Sequence, residues 1–174
     1  MGFKKLLPTL AASGAGGTSW TNVDNIKAED SSWARCDIDK NDVSQWCQGF
    51  GYNFNIPPSA TIEGITVFIK IDGEDDRKLT DSQIFLMDTA GGQKGTNHAR
   101  NAPVSESTVT EIYGNSADLW GTTWTPADVN HSNFGAMLEY ANSDNSKNWV
   151  DIDVVWVQVD YSVSGTYMLQ MSAF

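Results

Sequence analysis

Gly49-Phe50-Gly51-Tyr52-Asn53-Phe54-Asn55-Ile56-Pro57-Pro58-Ser59-Ala60-Thr61-Ile62-Glu63-Gly64-Ile65-Thr66-Val67-Phe68-Ile69 decides how this chain folds. Phe50, Tyr52, Phe54 and Ile56 share one parity while Gly49, Gly51, Asn53 and Asn55 share the other, the period-two pattern of a half-buried strand. Beyond the prolines, Ile65, Val67, Ile69 and Ile71 line one face of a second strand. Pro57 and Pro58 have no backbone donor and a fixed φ, so neither sits inside a ladder and the chain changes direction or sheet there. The stretch predicts an aromatic strand handing over to an aliphatic one across a rigid corner.

Working outward, Ser82–Met87 and Thr108–Tyr113 read as further strands. They are set apart by the acidic loop Asp72-Gly73-Glu74-Asp75-Asp76, by Gly91, Gly92 and Gly95, and by Ala102-Pro103. Phe134, Ala136, Leu138 and Tyr140 form one inward parity, followed by a turn over Asn142–Asn148. In the long strand Trp149–Tyr161 the apolar parity switches: Ile152, Val154 and Trp156 on one, Val155, Val157, Val159 and Tyr161 on the other. Such a strand is central in a sandwich or covered over part of its length. Only Thr125–Asn130 has helix signals, with Thr125 as N-cap and Pro126 at the first helical position. Helices long enough for crossover connections are missing, which argues against a parallel sheet. The expectation is an all-β, antiparallel β-sandwich, jelly-roll-like, of about eight strands with at most one short helix.

At 174 residues the chain suits one domain. Seven Trp, seven Phe and five Tyr exclude a disordered chain, and no stretch approaches the roughly 20 apolar residues of a membrane-spanning helix. A net charge of −11 opposes phosphate backbones, so neither nucleic acid nor membrane is expected as a partner. Residues 1–19 carry Phe3, Lys4 and Lys5, the short apolar run Leu6, Leu7, Leu10 interrupted by Pro8, and Gly14-Ala15-Gly16-Gly17. The order imitates a signal peptide, but the run is short and broken, so the segment reads as an extended arm with a glycine-rich hinge. Residues 20–161 read as the sandwich and 162–174 as a docking extension bearing Tyr167, Met168, Leu169, Met171 and Phe174. Cys36 and Cys47 are compatible with a pair, but two free, buried thiols in a reducing cytoplasm fit better.

Signs of chemistry are weak. His98 and His131 lie in polar loops outside any catalytic motif, and no nucleophile elbow occurs. Asp37-Ile38-Asp39-Lys40-Asn41-Asp42 begins like a calcium loop, then has Asp42 at the glycine position and Gln48 at the bidentate glutamate position. Asp151 and Asp153 share one strand parity without an acid/base division and read as a solvent face. No enzymatic activity, cofactor or metal is expected. The seven tryptophans offer a possible sugar-stacking platform, although most large aromatics are buried; Trp120 and Trp124, in a loop, are the better candidates for surface contact.

Gly49–Ile69, the block Asp118–Asn130 with Asn133-Phe134-Gly135, and the closing Val150–Tyr161 together resemble a family of structural proteins of tailed-bacteriophage virions. The resemblance runs from about Trp20 to Tyr161, and its motifs are structural; Ser162–Phe174 is an addition to the family pattern. It implies a jelly-roll module, commonly trimeric, found as capsid decoration or cement, head fibre or tail component. The expected function is a decoration protein at the capsid surface, assembled in the host cytoplasm, binding the major capsid protein or other virion subunits. Phe3, Leu6, Leu7, Leu10, Trp120, Trp124, Tyr167, Met168, Leu169, Met171 and Phe174 are the candidate contacts. The alternative is a tail or head-fibre receptor-binding module that contacts host glycan through loop aromatics.

Overall fold

A computed structural model describes residues 1–74 and 78–164. Its strands are β1 (Gly2–Leu6), β2 (Leu10–Ser13), β3 (Ala34–Ile38), β4 (Asp42–Val43), β5 (Cys47–Phe50), β6 (Ala60–Gly73), β7 (Leu79–Met87), β8 (Gln93–Lys94), β9 (Val109–Asn115), β10 (Gly135–Asn142) and β11 (Asn148–Val163). A 3-10 turn (Val23–Ile26) and one short helix, α1 (Pro126–Val129), complete the set. The strands form a five-stranded sheet ordered β1-β11-β6-β9, with β3 also on β11, and a six-stranded sheet ordered β2-β5-β10-β7-β8, with β4 also on β10. All nine ladders are antiparallel. The all-β sandwich follows from the sequence as expected, with more strands than the anticipated eight because short edge strands carry little periodic signal.

Between the sheets, Ile65, Val67, Ile69 and Ile71 of β6 and Val150, Ile152, Val155, Val157 and Val159 of β11 meet Ile84, Leu86, Ala136, Leu138 and Tyr140 from the other layer, all essentially inaccessible. The parity switch in β11 is a β-bulge: the register with β6 shifts between Ile152 and Val154, so one residue, Asp153, is inserted and inward-pointing positions change from even to odd. Asp153 is fully buried there. Its Oδ1 accepts from the Ser31 N–H at 3.0 Å, and Oδ2 forms an ion pair with Lys70 Nζ at 2.8 Å. Asp151 is nearly buried too, gripped by Arg35 through Nε at 2.8 Å and Nη2 at 2.5 Å. The solvent-face reading of these two aspartates is therefore corrected: each is committed to its own cation, because burial of an unpaired carboxylate is costly.

The strand expected to reach Ile56 ends at Phe50. Gly51, Asn53 and Asn55 have φ of 73°, 53° and 50°, and the two asparagine amides donate to the carbonyls of Gly51 and Asn53, each at 3.0 Å. Tyr52, Phe54 and Ile56 are still buried and the asparagines exposed, so alternation of faces survives without a ladder. Glycine and asparagine tolerate left-handed backbone, and here they occupy every second position. Asn130 then closes the segment: its Oδ1 accepts from the Ile56 N–H and its Nδ2 donates to the Ile56 carbonyl, both at 2.8 Å. Pro57-Pro58 carries the chain from the six-stranded to the five-stranded sheet, the change of sheet anticipated for the corner. Asn130 is itself placed by α1, whose start is a capping box between Thr125 and Asp128.

The segment 1–19, expected as a separate arm, is laid into the sandwich. β1 pairs with β11, β2 pairs with β5, and the turn between them carries the chain from one sheet to the other along one side. Leu6 packs on the core and Pro8 is buried, which gives an otherwise featureless arm a reason to be fixed. Among the described residues the strands of the sandwich thus include Gly2–Leu6 and Leu10–Ser13 of this segment. Cys36 and Cys47 are free and buried, on strands of different sheets. Burial pushes the Cys36 thiol up to about 12 and Cys47 further still, leaving both inert as nucleophiles.

Two polar groups make opposite predictions. Asn130→Ala strands the Ile56 amide and carbonyl and is expected to lower unfolding free energy by roughly 1–3 kcal/mol. Tyr140 is fully buried with a hydroxyl that has no partner among the described residues, so Tyr140→Phe is expected to be neutral or stabilising. Urea unfolding of the two variants checks both.

Candidate functional site

The described surface that invites contact is the N-terminal edge and the outer face of the five-stranded sheet. In β1, Phe3 and Lys5 point outward while Lys4 turns the other way, its Nζ donating to the carbonyls of Phe54 at 2.5 Å and Asn55 at 3.0 Å. Thr9 adds a hydroxyl bond to the Gly51 carbonyl at 2.7 Å. These clamps fix β1 against the left-handed segment and leave Phe3 64% exposed. On the same outer face, Trp156 of β11, Phe68 of β6 and Ile112 of β9 are direct cross-strand neighbours, a continuous apolar row. The Lys5 ammonium lies 3.7 Å from the Phe68 ring centre and 4.5 Å from that of Trp156, and Ile112 at the far end is 52% exposed. Burial lowers the Lys5 pKa, opposed by the charge of Glu29.

Of the candidate contacts read from the sequence, Phe3 and Leu10 are exposed, and Leu6 and Leu7 are half-buried. Tyr167, Met168, Leu169, Met171 and Phe174 lie outside the described residues. Trp120 and Trp124 are the correction: both are core residues, at 0% and 6% exposure. The Trp120 indole N–H donates to the Ile65 carbonyl of β6 at 2.9 Å, and its ring stacks on His98 with centroids 3.9 Å apart. Trp124 donates to the Leu119 carbonyl at 3.1 Å and meets Phe134 edge-on at 5.3 Å. Neither indole is available to a partner.

Trp120 anchors a knot that the sequence did not reveal. Its φ of 58° is left-handed, a conformation that costs a bulky residue on the order of 1–3 kcal/mol and persists only when neighbours impose it. Asp118 Oδ1 accepts from the Trp120 N–H at 2.7 Å, and the Trp120 carbonyl accepts from Thr96 N–H at 2.8 Å. A Cβ on Gly95 would lie 2.4 Å from the Trp120 oxygen, and one on Gly114 2.8 Å from its indole nitrogen, so both approaches need glycine. Asp118 Oδ2 is 2.8 Å from His98 Nε2. Burial raises the Asp118 carboxyl, but the hydrogen bonds from Trp120 and His98 outweigh it and hold the group below its ordinary value. Asp128 is depressed in the same way by Thr125 against its own burial. Nearby, the buried Asp81 accepts from the N–H groups of Arg100 and Ala102, each at 2.7 Å, and from the Tyr113 hydroxyl at 3.1 Å, pinning the loop before β9. These groups act as structural acceptors; among the described residues no set of three or more His, Cys, Asp and Glu side chains is placed to hold a metal.

No family model matches the chain, and no curated protein matches it. A solved structure described as a structural analysis of an exo-beta-agarase is similar at 12% identity, with a TM-score of 0.45. The match covers 91% of this chain and 24% of that one, so the chain spans about a quarter of that protein's length.

The knot and the exposed edge are expected to separate cleanly. Trp120→Ala should cost roughly 3–5 kcal/mol in urea unfolding, whereas Phe3→Ser should stay within about 0.5 kcal/mol. Because Asp118 and Asp128 are depressed in the folded state, their contribution is complete above the unfolded carboxylate value of about 3.9 and is lost as pH falls through the lower native values. Melting temperature is expected to fall below pH 4, and Asp118→Asn to flatten that fall.

Proposed function

We propose that the chain is a structural subunit of a tailed-bacteriophage virion, of the capsid decoration or cement type, that stabilises the head by docking on the major capsid protein. The reading rests on the sequence resemblance carried by Gly49–Ile69, Asp118–Asn130 and Val150–Tyr161. The observation that supports a docking role is Phe3, 64% exposed on a clamped strand at the margin of the Trp156–Phe68–Ile112 row. A rigid apolar side chain held out beside further apolar surface loses little entropy when covered, and its burial is worth about 25 cal/mol per Å². A homotrimer would multiply such contacts, since three linked footprints must release together. Buried free thiols suit assembly in the host cytoplasm. The receptor-binding alternative loses the loop aromatics it was built on, because Trp120 and Trp124 are in the core.

Quantitative mass spectrometry of purified particles of the encoding phage, with subtomogram or single-particle localisation, tests the proposal. The expected result is many copies on the head lattice, and Phe3→Ser with Ile112→Thr is expected to reduce occupancy of emptied heads while leaving the melting temperature nearly unchanged. A few copies at the tail, or none in the particle, would overturn it.

A further inference from the structure

The outer face of the six-stranded sheet carries a different chemistry. Gln48 of β5, Met137 of β10 and Phe85 of β7 are direct cross-strand neighbours in one row, and Glu139 and Gln83 are opposed in the next. Trp46, two residues before Gln48 and of the same parity, extends the patch, and its ring meets Phe85 edge to face at 6.4 Å and 70°. The two rings meet across β10, and Met137 between their strands is only 4% exposed despite facing away from the core. Trp46, Phe85, Gln48, Gln83 and Glu139 all remain partly accessible.

Two of the polar groups, Gln83 and Glu139, are held in place. Glu139 Oε1 accepts from Gln83 Nε2 at 2.7 Å and from Ser82 Oγ at 2.9 Å, and among the described residues Oε2 accepts no hydrogen bond. The patch is therefore an L-shaped pair of aromatic rings bordered by two side-chain amides and one preorganised carboxylate acceptor. Among the described residues it contains no cation. On a chain of net charge −11, that excludes acidic ligands by repulsion, and a second copy of the chain is disfavoured for the same reason. A neutral polyol is the complement: C–H faces of a pyranose pack on indole and phenyl rings, while hydroxyls exchange hydrogen bonds with the Gln48 amide and with Gln83 and Glu139, which already orient one another.

We infer that this face binds an uncharged carbohydrate, with Trp46 and Phe85 as the stacking platform and Gln48, Gln83 and Glu139 as the hydroxyl-reading groups. The site is independent of the proposed capsid contact, which uses the opposite sheet.

Affinity electrophoresis of the full chain through native gels containing hydroxyethylcellulose, galactomannan or dextran tests the inference, with dextran sulfate as the acidic control. At least one neutral polymer is expected to retard the protein and dextran sulfate is not. Trp46→Ala is expected to weaken that retardation about tenfold or more, the scale of a lost interface anchor. Gln83→Ala, a milder surface change, should weaken it in the same direction should Trp46→Ala fail to fold, and Trp156→Ala on the other face should leave it intact. The inference is overturned by no retardation in any neutral polymer, by retardation that survives Trp46→Ala in a folded protein, or by retardation that Trp156→Ala removes. Self-association in sedimentation that Trp46→Ala abolishes would also overturn it, making the face a contact between copies. Absence of the protein from capsids would leave the inference standing.

Discussion

The antiparallel pairing of β6 with β11 is the constraint on which the rest of the molecule depends. It runs from Val150 opposite Gly73 to Val163 opposite Ala60, and every other strand of its sheet attaches to one of these two. A ladder this long must twist, and both strands cannot keep one face on a flat core throughout. The bulge at Asp153 resolves the conflict by changing which parity of β11 faces inward, so Val150 and Ile152 before it and Val155, Val157 and Val159 after it all enter the same core. The inserted Asp153 is itself buried, and its carboxylate is satisfied by accepting from the Ser31 N–H while Lys70 neutralises its charge.

That solution determines the edges. β11 has β6 on one side, and on the other β3 occupies its first part and β1 its last part. The chain's N-terminal segment thus completes the sheet that its C-terminal strand centres, then crosses to β5 in the opposite sheet. Lys4 and Thr9 fasten it to carbonyls of the left-handed segment 51–56, groups that are free to accept because that segment forms no ladder. Irregular backbone before the proline corner and order at the N-terminal edge are one arrangement, each supplying what the other lacks.

Much of this was legible from residues. The face of β6 follows from Ile65, Val67, Ile69 and Ile71, the change of sheet from Pro57-Pro58, and the start of α1 from Thr125-Pro126, because each signal is local and depends on sterics or burial period. The parity switch in β11 was visible too, although its cause was not: a bulge inserts one residue, and that residue is recognisable only once its partners Ser31 and Lys70 are known. The extension of β5 through Ile56 misread the alternation, since glycine and asparagine at every second position satisfy a half-buried strand pattern and an alternating left-handed coil equally well. Trp120 was misplaced for a related reason. A tryptophan in a polar loop looks exposed until its indole N–H finds the carbonyl of Ile65, 55 residues earlier. No one-dimensional pattern carries that pairing, nor the union of His98 with Asp118.

The two outer faces show why a sandwich of this kind is more than a scaffold. A sheet packed on one side ordinarily presents polar residues to water on the other, yet here each outer face carries large apolar side chains in direct cross-strand register. They differ in what surrounds the rings. On the five-stranded sheet Lys5 lies over Phe68 and Trp156, so an incoming surface must accommodate or displace a cation already satisfied by the rings. On the six-stranded sheet the rings of Trp46 and Phe85 are bordered by amides and a carboxylate, with no cation in place among the described residues. The first arrangement is compatible with the proposed protein partner, whose apolar surface would need acidic groups at its rim to take over the lysine. The second favours a small neutral ligand rich in hydroxyls. Because the two faces belong to opposite sheets, the partner proposed for one and the ligand proposed for the other draw on separate sets of residues.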